Sequence, residues 1–350
     1  MAIPKGTIAV EEAVVNPNDL DFLADVASMY APGATSPAPG TGDSAHHALA
    51  QKLADIHDER LRKMNAEGVE YMLLSVTAPG CQGVVDPVRA QALATKSNDW
   101  LASEVGRNPA RFGGLAALSM HSGAEAAAEL RRAVKELGMF GALLNNYQCT
   151  GADGRGKTFF DTPEYHVFWE TVQQLGVPVY MHPSYPTRGD LASPESQYGP
   201  RKHLLGAAVQ FHLDLSFHLY ALISSGIFDR YPRVQVVAGH LGEGIPFNLW
   251  RANHWYNKPV KREARPSVED YGYYFKHNIS VTTSGFYSTQ GLKFCVNEIG
   301  VDRCIFSIDY PYDKIEEAQD WWKTVDLPEK EKVAVARENA IRLFKLPLEI

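Results

Sequence analysis

The chain alternates short, almost purely apolar runs with longer amphipathic segments, and this alternation continues along most of its length. Near-continuous apolar runs are typical of parallel strands that are buried on both faces of a sheet. Between these runs, apolar residues recur at three- and four-residue spacing, which predicts helices that cover the sheet. The predicted strands are 7–10, 70–76, 112–118, 141–145, 177–181, the start of 234–244, 278–283 and 303–307.

Eight such units in 350 residues fit a (β/α)8 TIM barrel, in which an outer helix follows each strand. A doubly wound open sheet is the alternative, but no GxGxxG motif follows the first predicted strand. We therefore predict one α/β barrel domain over residues 1–350, with C-terminal helices in 314–350. A loop insertion is predicted near 31–44, where Pro, Gly, Ser and Thr disfavour regular structure.

Charge and composition argue against several classes of function. The formal net charge is -7 without a basic stripe, so we expect no nucleic-acid partner. No apolar run is long enough to span a bilayer, and the N-terminus lacks the apolar core and cleavage site of a signal peptide. The four cysteines form no CxxC pair, which is typical of reduced thiols. We therefore expect a cytoplasmic protein that does not bind membranes.

Polar residues follow four of the predicted strands closely. Glu11 follows the first strand, His182 the fifth, His240 and Glu243 the sixth, and Asp309 the eighth. The carboxyl ends of barrel strands meet at one face, where active sites lie. Carboxylate oxygens and imidazole nitrogens suit a divalent cation of hard or borderline character. Any one of these residues alone is more simply a helix cap or a salt-bridge partner, but their recurrence favours a metal or catalytic site.

Eight segments carry a more specific pattern. They are IAVEEA (8–13), LSVTAPG (74–80), RFGGLAAL (111–118), VYMHPSYP (179–186), GIFDRYP (226–232), VVAGHLGEGIPF (236–247), VTTSGF (281–286) and FSIDYPY (306–312). Together they resemble the decarboxylase branch of the amidohydrolase superfamily. That branch includes γ-resorcylate, 2,3-dihydroxybenzoate, salicylate and 5-carboxyvanillate decarboxylases. The resemblance covers nearly the whole chain and implies a metal-dependent barrel of the amidohydrolase type.

Roles for the residues after the strands come from this resemblance. It implies that Glu11, His182 and Asp309 bind the metal. It also implies that His240 is the active-site histidine beside the metal and that Glu243 orients it.

Two departures from the wider superfamily affect the predicted site. Ala13 stands where many amidohydrolases have the second histidine of His-x-His, which leaves room for substrate and water. The fourth strand ends in Asn145 and Asn146 instead of a lysine that could be carbamylated. We therefore expect one divalent ion and no organic cofactor. Zinc is our first choice, and manganese and magnesium are the alternatives.

The reaction that the resemblance implies is the non-oxidative removal of a carboxylate ortho to a phenol. The metal would hold one carboxylate oxygen and the phenolate oxygen, and Asp309 or, alternatively, His240 would protonate the ring carbon. Our best substrate prediction is 2,3-dihydroxybenzoate, which would give catechol and CO2. γ-Resorcylate or another salicylate is the alternative substrate. A hydrolase or hydratase of the same superfamily, or a binding protein without metal, is the rival function.

Five further residues are predicted to contact the substrate: Ala13, Thr77, Tyr147, Arg251 and Phe286. Arg251 aligns with a family arginine near the substrate, although a surface salt bridge explains it equally well. Tyr147 and Phe286 would form the walls of an aromatic slot, although packing in the barrel core is the commoner role of such residues. Relatives are homodimers or homotetramers, so we expect a homo-oligomer.

Overall fold

The computed structural model describes residues 5–19, 43–152, 154–195 and 197–350. Most of the predicted loop insertion at 31–44 lies outside these residues, and its last two positions begin the first described helix. Within the described residues the strands are β1 (Thr7–Val14), β2 (Val69–Val76), β3 (Phe112–Gly114), β4 (Ala142–Asn145), β5 (Gln148–Thr150), β6 (Gly156–Thr158), β7 (Val179–His182), β8 (Val236–Ala238), β9 (Ile279–Thr282) and β10 (Cys304–Ile305).

All of these strands except the β5-β6 hairpin run parallel, in chain order, around a barrel. Ladders of hydrogen bonds join β1-β2-β3 and, separately, β4-β7-β8-β9-β10. A parallel bridge between Ala116 and Ala142 connects the two groups on one side. On the other side, the Ala13 N–H donates to the Tyr310 carbonyl at 2.8 Å, which joins β1 to the chain after β10. The predicted (β/α)8 barrel is confirmed.

Helices surround the barrel. They are α1 (Asp43–Ala54), α2 (Glu59–Glu67), α3 (Pro87–Arg107), α4 (Gly123–Lys135), α5 (His166–Leu175), α6 (Arg188–Ala192), α7 (Gln210–Ser224), α8 (Ile227–Arg230), α9 (Ile245–Tyr256), α10 (Pro259–Ala264), α11 (Tyr271–His277), α12 (Thr289–Ile299), α13 (Ile315–Thr324), α14 (Glu329–Val333) and α15 (Asn339–Phe344). The side chains of Asp86 and Ser122 cap α3 and α4, which explains where these helices begin. None of the described helices is long and apolar enough to cross a membrane.

Side chains from alternate strand positions fill the barrel interior. The intervening strand residues pack in a second cluster with the helices. Because the interior is packed with side chains, a binding site has room only at an end of the barrel. The inner strand residues are Ile8, Val10, Tyr71, Leu73, Leu115, Leu143, Tyr180, Val237 and Ile305.

A β-bulge in β1 decides where its two carboxylates point. Ala9 pairs with Met72, so in a regular ladder Glu11 would pair with Leu74, two residues further along each strand. Instead, Glu12 pairs with Leu74. One extra residue is therefore inserted in β1, and such an insertion changes the direction of the side chains that follow it. As a result Glu11 points towards the barrel axis, and Glu12 points towards the gap between β1 and the chain after β10.

Most predicted strand bounds differ from the observed ones by one or two residues, and β3 ends at Gly114, four residues before the predicted end. β1 extends to Val14, beyond the predicted 7–10, because the ladder continues past the bulge. The chain between β1 and β2 forms two helices, α1 and α2, because the Asp55 carboxylate accepts the Arg60 N–H at 2.9 Å near the start of the second helix. The β5-β6 hairpin is absent from the prediction, since each of its strands has only 3 residues.

Candidate active site

Glu11 is a buried carboxylate whose two oxygens have different surroundings. The hydroxyl groups of Tyr180 and Ser284 donate to Oε2, and the Thr282 hydroxyl lies 3.5 Å from the same atom. Among the described residues, no hydrogen-bond donor reaches Oε1. The side chain is 3% exposed, and a buried charged oxygen without a partner is costly. Oε1 is therefore suited to bind a cation.

His182 lies at the end of β7 with its ring facing Glu11. Its Nδ1 is 2.6 Å from the Pro183 carbonyl, a bond that requires the hydrogen on Nδ1 and leaves a lone pair on Nε2. Nε2 is 3.4 Å from Glu11 Oε1. Burial lowers the pKa of His182, although the charge of Glu11 acts in the opposite direction. A neutral imidazole fixed in this tautomer is the form that binds metals.

A left-handed turn after β8 carries His240 and Glu243. The φ angle is 52° at His240, 54° at Leu241, 76° at Gly242 and 56° at Glu243. This backbone costs a non-glycine residue about 1–2 kcal/mol, and such strain is concentrated at functional sites. The turn brings Glu243 Oε1 to 2.6 Å from His240 Nδ1. Burial alone lowers the pKa of His240, but the carboxylates of Glu243 and Glu11 raise it well above its ordinary value.

Asp309 completes the group and also has a left-handed backbone, with a φ of 76°. Its Oδ2 is 3.9 Å from His240 Nε2, and that same nitrogen is 3.8 Å from Glu11 Oε1. Burial raises the pKa of Asp309 to about 7, against the opposing effect of His240. The structure thus brings together the predicted residues Glu11, His182, His240, Glu243 and Asp309.

Glu11, His182, His240 and Asp309 line a cleft at this end of the barrel. Ala13 and Thr77, two of the predicted substrate contacts, line this cleft. Tyr185, Phe211 and Tyr312 give it aromatic walls. The Tyr312 hydroxyl is 2.6 Å from Thr77 Oγ1, so one wall presents a pair of hydroxyl groups.

The other three predicted substrate contacts lie outside this cleft. Arg251 is exposed and lines a separate groove on the outer surface, because it is two positions from the buried Leu249 and so lies on the opposite face of α9. Tyr147 is buried behind the cleft, and its hydroxyl donates to a backbone carbonyl in the wall. Phe286 lines an adjoining cavity that shares His240 with the cleft.

The groups that orient Glu11 were not among the site residues predicted from the sequence. The Tyr180 hydroxyl, which donates to Glu11, is also 2.7 Å from Thr282 Oγ1. Tyr180 precedes His182 by two residues in β7, and residues two apart in a strand face the same side, so this spacing could have identified Tyr180. Thr282 and Ser284 have no such partner, because β9 ends at Thr282 and contains no predicted site residue. The aromatic walls come from loops and a helix, where no comparable pattern exists.

The donor set fits one divalent cation. Among the described residues, no group of three or more His, Cys, Asp and Glu side chains has the spacing of a complete coordination shell. However, the 3.4 Å between Glu11 Oε1 and His182 Nε2 agrees with the separation of about 3–3.5 Å expected for two ligands of one ion. Glu11 Oε1 and His182 Nε2 are therefore close enough to be neighbouring ligands of one cation.

Comparison with known proteins agrees with this geometry. The amidohydrolase family model, Amidohydro_2, matches residues 43–346 of the chain. The chain belongs to the amidohydrolase family. The match confirms the family predicted from the eight sequence segments. A relative of this amidohydrolase, the γ-resorcylate decarboxylase of Polaromonas sp. (strain JS666), is 40% identical over 303 residues, which cover 85% of this chain and 90% of that protein.

Two solved structures are similar to this amidohydrolase over nearly its whole length. One is 2,6-dihydroxybenzoate decarboxylase complexed with 2,6-dihydroxybenzoate, with a TM-score of 0.87, 36% sequence identity and coverage of 98% of this chain and 99% of that one. The other is the dihydroxybenzoic acid decarboxylase of Polaromonas sp. JS666 with bound manganese and the inhibitor 2-nitroresorcinol. Its TM-score is 0.87, its identity is 36%, and the match covers 99% of this chain and 98% of that one.

Replacing Tyr180 with Phe tests the orientation of Glu11. Without this hydroxyl, Oε2 loses a donor and the carboxylate can rotate, so the affinity for a divalent cation should fall about 10- to 100-fold. Calorimetric titration of the chelator-treated variant measures this change. Tyr274→Phe is the matched control, because it removes a tyrosine hydroxyl that donates to Asp229 on the outer side of the barrel. Unchanged affinity in Tyr180→Phe, or an equal loss in the control, would contradict the assigned role.

Proposed function

We propose that this amidohydrolase catalyses metal-dependent, non-oxidative decarboxylation of an ortho-hydroxybenzoate. The observation that carries the proposal is the position of the donor-free Glu11 Oε1. It lies 3.4 Å from a neutral imidazole, His182, and 3.8 Å from the carboxylate-held imidazole of His240, in a cleft with aromatic walls. A site that combines a cation, a positive imidazole and aromatic side chains suits a planar anion. The decarboxylases among the relatives support the same reaction.

The proposal includes one divalent ion held by Glu11, His182 and Asp309. When bound, the ion supplies a Lewis acid for the substrate carboxylate and the neighbouring phenolate oxygen. We infer Mn²⁺ as the first candidate, since the Polaromonas neighbour holds manganese. Zinc, our first choice from the sequence, and magnesium stay as alternatives. No lysine is available at β4 for a binuclear site, because its last residue is Asn145, whose side-chain amide donates to the Pro79 carbonyl.

The protein groups have separate tasks in this proposal. His240, which Glu243 keeps cationic and oriented, attracts the substrate carboxylate. Tyr185 and Phe211 pack against the ring and exclude water. Asp309 delivers a proton to the ring carbon as the bond from that carbon to the carboxylate breaks and CO2 leaves, and it then takes a proton from water. His240 is the alternative donor, because its Nε2 faces the same cleft.

For the substrate, we propose 2,6-dihydroxybenzoate, also called γ-resorcylate, with resorcinol and CO2 as products. The support comes from the similar decarboxylases that act on or bind this acid. Our first choice from the sequence, 2,3-dihydroxybenzoate, differs in having only one hydroxyl group beside the carboxylate. The small side chain of Ala13 leaves space at the cleft, and the hydroxyl pair of Thr77 and Tyr312 offers partners for a second ring hydroxyl.

The direct test is CO2 release by Mn²⁺-loaded protein from a panel of ortho-hydroxybenzoates. We expect the highest kcat/KM with 2,6-dihydroxybenzoate. His240→Asn should keep its metal, measured by mass spectrometry, but lose turnover about 10²–10⁴-fold. His254→Asn, which changes a histidine stacked on the surface side chain of Trp250, serves as the control. Wild-type rates in His240→Asn, or no CO2 from any acid in the panel, would refute the proposal.

We also propose that the protein is a homo-oligomer, with an apolar surface patch as the interface. The patch consists of Phe217 on α7 together with Phe247 and Trp250 on α9, which are 70%, 77% and 74% exposed. Other residues of α7 and α9 line a common groove, and Phe247 and Trp250, three positions apart, lie on the same side of α9. Large exposed aromatic side chains in one area are typical of protein interfaces.

Light scattering after gel filtration tests this assembly. Wild-type protein should have the mass of two or four chains, and the double variant Phe247→Ser/Trp250→Ser should shift towards one chain. Val88→Ser is the control, because Val88 is equally exposed but lies on α3. A monomeric wild type would contradict the proposed assembly, and an unchanged oligomer in the double variant would place the interface elsewhere.

A further inference from the structure

No strand ladder joins β1 to the chain after β10 among the described residues; side chains add to the backbone bond between Ala13 and Tyr310 there. Ser307, which follows β10, is the central contact: its Oγ accepts the N–H of Val10 at 3.0 Å and the N–H of Glu11 at 2.9 Å. The same hydroxyl donates its hydrogen to Glu12 Oε1 at 3.1 Å. One buried hydroxyl thus fixes the backbone of Glu11.

Glu12 fixes the other side of the join. Its Oε1 accepts the Ile308 N–H at 3.1 Å, and its Oε2 accepts the Tyr310 N–H at 3.0 Å. These two N–H groups belong to the residues directly before and after Asp309. The left-handed backbone of Asp309, with its φ of 76°, is therefore held from both sides by one carboxylate.

The surroundings of Glu12 indicate that this contact is built into the fold. The side chain is 0% exposed, and burying a carboxylate is costly unless it is hydrogen-bonded and near an opposite charge. The three bonds above satisfy its oxygens. The guanidinium of Arg60 supplies the positive charge; it donates to the Ala13 carbonyl at 2.7 Å and lies 4.7 Å from the centre of the Tyr310 ring.

We infer that Glu12 and Ser307 form a clamp that sets the position of Asp309 relative to Glu11. The inference rests on the proposed function, since it gives these two residues a task only if Glu11 and Asp309 act together at one centre. Neither residue lines the cleft, so they are positioning residues and not catalytic ones. The geometric basis is that Ser307 bonds directly to the backbone of Glu11, while Glu12 bonds to the N–H groups of both neighbours of Asp309.

The variants Glu12→Gln and Ser307→Ala test the clamp in the full-length, Mn²⁺-loaded protein. The Gln amide keeps one acceptor oxygen but presents N–H groups where Tyr310 needs an acceptor. Ala removes the contact from Ser307 to both strands. We expect each variant to bind Mn²⁺ about 10- to 100-fold more weakly by calorimetry and to show an altered electron paramagnetic resonance spectrum of the bound ion. At saturating Mn²⁺, kcat should fall at least tenfold while KM changes less than threefold.

Gln319→Leu is the matched control. Its amide donates to the Thr7 hydroxyl, a buried side-chain bond at the opposite end of β1 from the clamp. This variant should lose thermal stability but keep the affinity for Mn²⁺, its spectrum and kcat. Ser307→Thr, which keeps the hydroxyl, should recover most of the affinity lost in Ser307→Ala.

Two results would overturn the clamp. One is Mn²⁺ affinity and kcat within twofold of wild type in both Glu12→Gln and Ser307→Ala. If only one of these two variants folds, its Mn²⁺ affinity and kcat alone decide the test. The other is an equal loss of Mn²⁺ affinity in Gln319→Leu, because the effect would then reflect general destabilisation. If wild-type protein binds Mn²⁺ but releases no CO2, the proposed reaction fails alone, and the Mn²⁺ affinities of the variants still decide whether the clamp exists.

Discussion

The architecture of the site depends on one buried carboxylate with unequal oxygens. Oε2 of Glu11 is surrounded by the hydroxyl groups of Tyr180, Thr282 and Ser284, whereas Oε1 has no donor among the described residues. Removing a carboxylate from water without full compensation costs several kcal/mol, on the order of the stability of a whole domain. The three hydroxyl groups offset the desolvation cost only at Oε2, so the cost at Oε1 still has to be offset. A cation at Oε1, with the nearby neutral imidazole of His182, would offset it.

The backbone around this carboxylate is in strained conformations. His240, Leu241, Glu243 and Asp309 all have positive φ angles, and these non-glycine residues lie beside the cleft or belong to it. At about 1–2 kcal/mol each, such conformations persist only where surrounding bonds hold them. The His240–Glu243 pair holds the turn after β8. The N–H bonds to Glu12 hold the peptides around Asp309.

Much of this arrangement follows from the sequence by simple physical rules. Apolar runs with covering helices predict a parallel barrel, and polar residues at the ends of parallel strands must meet at one face. This is sufficient to group Glu11, His182, His240 and Asp309. The resemblance to a family adds roles for them that spacing alone cannot supply.

The rest depends on interactions that a linear pattern does not encode. The bulge that separates the directions of Glu11 and Glu12 appears only in the pairing of β1 with β2. The outward face of Arg251 depends on which side of α9 is buried, and the aromatic walls of Tyr185 and Phe211 come from segments without strand periodicity. The role of the Tyr180 hydroxyl could have been predicted, because Tyr180 lies two residues before His182 in the same strand.

The most direct test of this account is anomalous diffraction from crystals of the protein grown with Mn²⁺. We expect one strong anomalous peak at about 2.0–2.3 Å from Glu11 Oε1 and His182 Nε2, with Asp309 as a further ligand and His240 outside the coordination shell. A peak ligated by His240 in place of Asp309, or no peak at Glu11 Oε1, would contradict this account.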